Sequence, residues 1–241
     1  MPAHRARPLA VDRDPQQAMH LLLTGLAALI VTSILVLVGF FVIADKRREA
    51  ASAAAPVLAP STIGSRSADP QPLTRQEVFP SQQIELVAGA SPYRITVTHV
   101  DTDCTRAATG ELATLLAGNG CDQIVRATMT APYGGYRVTA GIFNLADDAG
   151  AAEAAERAGS LIENGRGGFA AIGALGTFTP TTTPLAQAGW RSRGHYLLYC
   201  LISRPDGGVV ADDDPYAGRI TADLVEQYLS DKVIATRSRH A

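Results

Sequence analysis

The residues best equipped for chemistry are three cysteines, two histidines and two short acidic groups. Cys104, Cys121 and Cys200 offer thiol chemistry, a metal ligand set or a disulfide, and three cysteines cannot all pair with one another. His99, Asp101, Asp103 and Cys104 fall within six residues, and His195 belongs to a later strand-like run. A zinc ion takes about four nitrogen, sulfur or oxygen ligands converging tetrahedrally, and this set has the right atoms but matches no ligand spacing. A Cys–His nucleophile would need a depressed thiol pKa and an orienting carboxylate, and nothing around Cys104 or Cys200 supplies them locally. Gly165-Arg-Gly167-Gly-Phe-Ala170 fits a dinucleotide-binding fingerprint by letters, but a helical pattern precedes it and none follows, so it reads as a loop. Asp212-Asp213-Asp214 lacks calcium-loop spacing and reads as one helix cap among solvated acids. No catalytic, cofactor or metal site is assigned. Trp190, Arg191, Arg193 and Tyr196 form the best candidate recognition patch, because these residue types dominate binding hot spots.

The elements that must position these residues follow from periodicity. Tyr93–Val100 alternates with period two and reads as a strand, with Ile95, Val97 and His99 on one face. Thr105–Ala117 has helical spacing and is stopped by Gly118-Asn-Gly120. If that helix is straight, its thirteen residues span about 20 Å, too far for the ~7 Å limit of a disulfide between Cys104 and Cys121. A bridge involving some pair of the three, or a buried free thiol at Cys200, therefore stays open. Cys121–Thr130 and Tyr136–Phe143 are strand-like around Tyr133-Gly-Gly-Tyr136, a hairpin signal. Asp147 or Asp148 caps a helix over Ala149–Ile162, and His195–Ser203 is a β-rich run approached through Gly189–Arg193. Asp214-Pro215 then starts a helix running to about Leu229. The resulting order predicts an α+β domain: a ferredoxin-like split β-α-β sandwich of about four to five antiparallel strands, in which the strand of His195 would neighbour that of His99.

Ahead of the domain lies the longest apolar run in the chain. Leu21–Ile43 holds 23 residues without charge or proline. As a helix it would extend roughly 34 Å, enough to cross a ~30 Å hydrocarbon core. The expectation is a single transmembrane helix, placed at 19–44, behind a disordered tail at 1–18. The run is too long for a signal-peptide core, and Lys46-Arg47-Arg48 follows it directly, so it reads as an uncleaved anchor in the lipid bilayer. Residues 45–91 carry repeated prolines among Ala, Ser and Thr and read as a tether, with part of 76–90 apolar enough to pack on the domain as an extra strand. The folded domain is expected over 92–230 and a flexible tail over 231–241.

Arg5, Arg7 and Arg13 before the run nearly balance the basic cluster after it, so charge alone does not orient the chain. The tether and the cysteines favour a cytoplasmic N-terminus and a domain outside the cytoplasm. A net charge of -2 and a pI near 6.2 supply no basic field for nucleic acid.

Cys104-Thr-Arg-Ala-Ala-Thr-Gly-Glu-Leu, Cys121-Asp-Gln-Ile-Val-Arg-Ala-Thr, Thr139-Ala-Gly-Ile-Phe-Asn-Leu-Ala-Asp and Asp213-Asp-Pro-Tyr carry a resemblance across most of 93–229. The layout resembles an uncharacterised group of actinobacterial single-pass membrane proteins with a small extracytoplasmic α+β domain, and this resemblance implies no particular activity. The expected function is a membrane-anchored, non-enzymatic binding or interaction module that meets an envelope protein partner. The alternatives are a thiol- or metal-dependent envelope hydrolase using Cys104, His99 or His195, and a cytoplasm-facing regulatory domain.

Overall fold

A computed structural model describes residues 62–172, 178–179 and 185–239, together with Ser33. The tail at 1–18 lies outside the described residues, as does all of Leu21–Ile43 except Ser33, which is helical and exposed. Among the described residues no helix is long and apolar enough to cross a membrane.

The chain enters as a strap carrying a short helix, α1 (Arg75–Val78), and a two-residue strand, β1 (Gln83–Ile84). β2 (Tyr93–Asp101) follows, then a 3-10 turn (Cys104–Ala107), β3 (Ala108–Thr109) and α2 (Gly110–Gly118). Next come the hairpin of β4 (Gln123–Thr130) and β5 (Arg137–Asn144) and the long helix α3 (Asp148–Glu163). Three short strands cross one face of the sheet: β6 (Gly167–Phe169), β7 (Ala171–Ile172) and β8 (Phe178–Thr179). A second hairpin, β9 (Gln187–Arg193) and β10 (Tyr196–Ser203), precedes α4 (Pro215–Thr221). α4 continues into a π-wound stretch (Ala222–Ile234) and α5 (Ala235–Arg237).

The main sheet has six strands in the order β1-β2-β4-β5-β10-β9, every pairing antiparallel. This corrects the expectation of a ferredoxin-like sandwich of four to five strands. A split β-α-β unit joins two parallel strands through a crossover helix, with a third strand lying antiparallel between them. Here β2 lies directly antiparallel to β4, so α2 sits in a long hairpin connection and crosses nothing. Two further strands raise the count. Gln83–Ile84 adds an edge beside Tyr93, as the apolar character of 76–90 suggests. The approach at Gly189–Arg193 is itself part of a strand, β9, paired with the run ending at Ser203 through a turn at Gly194, whose φ of +56° suits the first position of a tight hairpin turn.

Alternation along the central strands sends side chains to both faces. Val125, Ala127, Ile142, Leu198 and Cys200 face a layer made by the strap and the C-terminal helix, including Ile63, Leu73, Phe79, Leu224 and Leu229. Ile124, Phe143, Leu197 and Tyr199 face α2, α3 and Phe169. The architecture is thus a sheet coated on both sides, with β4, β5 and β10 largely buried.

Two boundaries move. The outer part of the tether, expected to run to residue 91, is integral from residue 62: Ile63, Leu73, Val78, Phe79 and Ile84 are buried. The C-terminal segment, expected to fray from residue 231, stays helical to Arg237, which is itself buried.

Candidate functional site

The cysteines resolve first. Cys104 and Cys121 form a disulfide with their Cα atoms 6.2 Å apart. The straight-helix objection fails because the helix starts later than its periodicity suggests. Asp103 caps a 3-10 turn by accepting from the Thr105 N–H at 3.1 Å, and Ala108–Thr109 is extended before α2 begins at Gly110. The path doubles back, and the Cys121 N–H donates to Leu116 O at the end of that helix. Cys200 is free and buried, and burial pushes its thiol up to about 11. One sulfur of the proposed hydrolase is therefore in a disulfide, and the other lies under the C-terminal helix as a protonated thiol.

His99 and His195 are not neighbours: β4 and β5 separate their strands, a spacing of roughly 14 Å at ~4.8 Å per strand. Asp101 and Asp103 instead pair with Arg106, each at 3.5 Å. Among the described residues no three His, Cys, Asp or Glu side chains group as metal ligands. Asp214 caps α4 through the N–H groups of Tyr216 and Ala217, at 2.9 and 3.0 Å. Gly165 ends α3, and a strand rather than a helix follows it.

The expected recognition patch is split by the sheet. Trp190 packs on the α2/α3 side, its ring 5.9 Å from Phe169 and its indole N–H donating to Ala155 O at 2.8 Å. Tyr196 is fully buried on the opposite side and donates to Asp69 at 2.7 Å. Arg191 pairs with Glu226. Arg193 donates to Ser230 O at 2.9 Å and to Asp231 at 2.9 Å. All four are engaged within the domain, with Trp190 on the opposite side of the sheet from Tyr196 and from the two arginines, which both pair with the C-terminal helical segment.

Two other constellations emerge. One is a clasp in which Arg237 gives Nε to Asp69 at 2.6 Å, Nη2 to Asp69 at 2.7 Å and Nη1 to Glu77 at 2.8 Å, with Nη2 also reaching Gln71 O. Burial alone would raise the Asp69 carboxyl; the hydrogen bonds from Arg237 and Tyr196 outweigh it and hold it below its usual value. Over the clasp lies a cleft of about 460 Å³ bordered by Pro80, Tyr228, Lys232 and Val233. Its acidic groups, Asp69 and Glu77, are both committed to Arg237. The clasp closes the strap onto the C-terminal helix.

The other is a tyrosine cluster where the β4–β5 turn meets α4. Gly134 and Gly135, both at φ +63°, turn the hairpin and leave Tyr133 and Tyr136 on either side of it. Tyr93 and Tyr133 both donate to Oδ2 of Asp223, and their own hydroxyls lie 2.6 Å apart. Tyr136 donates to Asp214 at 2.6 Å, so the carboxylate that caps α4 also holds the hairpin. The Tyr216 ring stacks on Tyr133 at 5.7 Å, and the Arg219 guanidinium lies 4.7 Å from the same ring centre. Burial and the bond to Asp223 push the Tyr133 hydroxyl up to about 12, so it remains a donor at neutral pH. Tyr216 and Arg219 are exposed while their partners are pinned from below. The signal available in sequence was the Tyr133-Gly-Gly-Tyr136 turn; its meeting with Tyr216 and Arg219 is a tertiary event.

Comparison with protein-family models, curated proteins and solved structures finds no match.

Proposed function

We propose that the chain is a membrane-anchored, non-enzymatic binding module that holds its domain outside the cytoplasm and meets an envelope protein through the tyrosine cluster. The observation that carries this reading is the stack of exposed Tyr216 and Arg219 on Tyr133, whose hydroxyl is fixed by Asp223. Tyrosine and arginine supply large contact area and cation–π attraction, and rings already held in place lose little conformational freedom on binding. The Cys104–Cys121 bridge supports an oxidising location, and Leu21–Ile43 supports anchoring in a bilayer. Our reading of kinship with actinobacterial single-pass proteins agrees with that layout.

The test is crosslinking in intact cells followed by affinity capture of the full-length protein, beside Tyr216→Ala and Arg219→Glu. A partner recovered with the native chain and depleted at least tenfold with either variant is the expected outcome. Equal recovery with all three would sink the assignment of the surface. Location is tested separately with a membrane-impermeant maleimide: labelling of intact cells only after external reductant is expected. Labelling that requires permeabilisation and no reductant would place the domain inside.

A further inference from the structure

The C-terminal helix is wound unusually where it borders the cleft over the clasp. Ala222–Ile234 is π-wound for thirteen residues, whereas such winding is mostly confined to single turns and collects at functional sites. Hydrogen bonds from i to i+5 bring residues four and five apart onto one face. That face carries Tyr228, Lys232 and Val233 to the cleft and continues to Thr236 in α5. With the strap opposite, they border about 460 Å³, a volume within the range of small-molecule sites.

The apolar part of the lining is already fixed. The Tyr228 ring stacks on Phe79 with centroids 6.3 Å apart, and its hydroxyl donates to Val78 O at 2.8 Å. Val233 is buried in the same core, and Pro80 forms the strap side of the cleft. Side chains held in this way lose little freedom when a ligand arrives.

The charged groups divide by commitment. Asp69 accepts from Arg237 and Tyr196, and Glu77 accepts from Arg237 and from the Thr74 N–H. Asp231, beside Lys232 in the chain, is held by Arg193 at 2.9 Å. Lys232 differs. It is exposed, its ammonium lies 5.7 Å from the Tyr228 ring centre, and among the described residues no carboxylate pairs with it. The Thr236 hydroxyl accepts from Arg239 at 3.0 Å and keeps its own proton to donate. What the cleft offers a ligand is therefore one cation and one hydroxyl beside an apolar wall. An anion with an apolar body complements that set. The volume lies at the small end of the range, which favours a single short chain or ring over a two-chained lipid.

The geometry points to a binding site for a small carboxylic acid with an apolar body, whose carboxylate meets Lys232 and Thr236 while its chain or ring lies against Tyr228, Val233 and Pro80. The proposal depends neither on the tyrosine surface nor on the side of the membrane the domain occupies.

The experiment uses the full-length chain in nanodiscs of phosphatidylcholine, with octanoate as the probe and butyrate and octyltrimethylammonium as controls. Calorimetric titration is read together with amide exchange. Octanoate is expected to bind and to slow exchange in 71–80 and 228–236. Butyrate should bind at least about tenfold more weakly, having lost four methylenes, and the cation should not bind. Lys232→Gln should weaken octanoate by about tenfold or more, the size of one charge-assisted hydrogen bond. Thr236→Trp, at an exposed position on the rim, should block the cleft without changing the melting temperature. The comparison of probes on the native chain needs neither variant. Absence of octanoate binding, equal binding of the cation, or affinity indifferent to both substitutions would overturn the proposal. Protection that appears only in nanodiscs containing phosphatidylglycerol, with no response to octanoate, would also overturn it, assigning the cleft to a lipid headgroup.

Discussion

His195 and Ile63 are joined twice: the backbone N–H and the Nδ1–H of His195 both end on the carbonyl of Ile63, at 2.9 and 2.7 Å. The first fixed residues of the strap are thus hung on the β9–β10 turn. Because a carbonyl can only accept, Nδ1 carries the proton. Nε2 is buried with no hydrogen-bond partner among the described residues.

A second proton on His195 would leave a charged, buried donor without an acceptor, and burial lowers the pKa of this imidazole from its ordinary 6.5. The unfolded chain therefore binds a proton that the folded chain refuses. Stability from this group is complete above pH 6.5 and falls as the pH drops below it towards the lowered folded value. Denaturant unfolding from pH 8 to pH 4.5 should show that decline, and His195→Gln should be less stable at pH 8 but flatter with pH. An unchanged slope in the variant would remove His195 as the cause.

Breaking the clasp should be severe. Arg237 and Asp69 have side chains only 8% and 4% exposed, so removing either leaves its partner charged and buried. Arg237→Ala or Asp69→Asn should lower unfolding free energy by about 3–5 kcal/mol, and Arg237→Lys should not restore it, since an ammonium cannot make the forked contact. Chemical denaturation of the three variants measures this. A loss below about 1 kcal/mol would show that the strap is held by its apolar residues alone.

The Cys104–Cys121 bridge closes a loop with a sequence separation of 17. Loop-closure entropy for that length is about 3 kcal/mol, so reduction should shift the melting curve clearly downward. Mass spectrometry of the native chain in denaturant should find one alkylatable thiol, Cys200, rising to three after reduction. Three thiols before reduction would contradict the bridge.

The two turn glycines should differ. At Gly134 an added Cβ would come within 2.4 Å of the Tyr136 ring, whereas at Gly135 the nearest atom is Pro205 Cγ at 3.8 Å. Both alanine variants carry left-handed strain of about 1–2 kcal/mol. Gly134→Ala should exceed that because Tyr136 must also move off Asp214. Thermal melts of the pair check the order, and Gly135→Ala proving the worse would refute it.

Much of the domain was legible locally. Asp147 and Asp214 cap helices as expected, and Tyr133-Gly-Gly-Tyr136 turns a hairpin, because each of these is decided within four or five residues. The strap was hidden by its prolines. Pro70, Pro72, Pro80 and Pro92 occupy connections between elements, while Leu73, Val78 and Phe79 do the packing. One local sign did exist, the capping box of Thr74 with Glu77 that opens α1. The Cys104–Cys121 pairing was disfavoured because periodicity placed the start of α2 too early, and the sheet was undercounted because the approach at Gly189–Arg193 is itself a strand. The clasp left no pattern at all and the tyrosine cluster only its turn, since their partners lie far apart in the chain.

That distance has a consequence for the order of assembly. Asp69 and Arg237 are separated by 168 residues, and Tyr228 reaches back 150 to Val78. Until residue 237 has emerged and docked, the strap carries a carboxylate with no counter-charge and apolar side chains with nowhere to settle. Closing so long a loop comes late and slowly. The nascent chain must pass through a stage in which the sheet face meant for the strap and the last helix is bare, and that is when this protein would most need a chaperone.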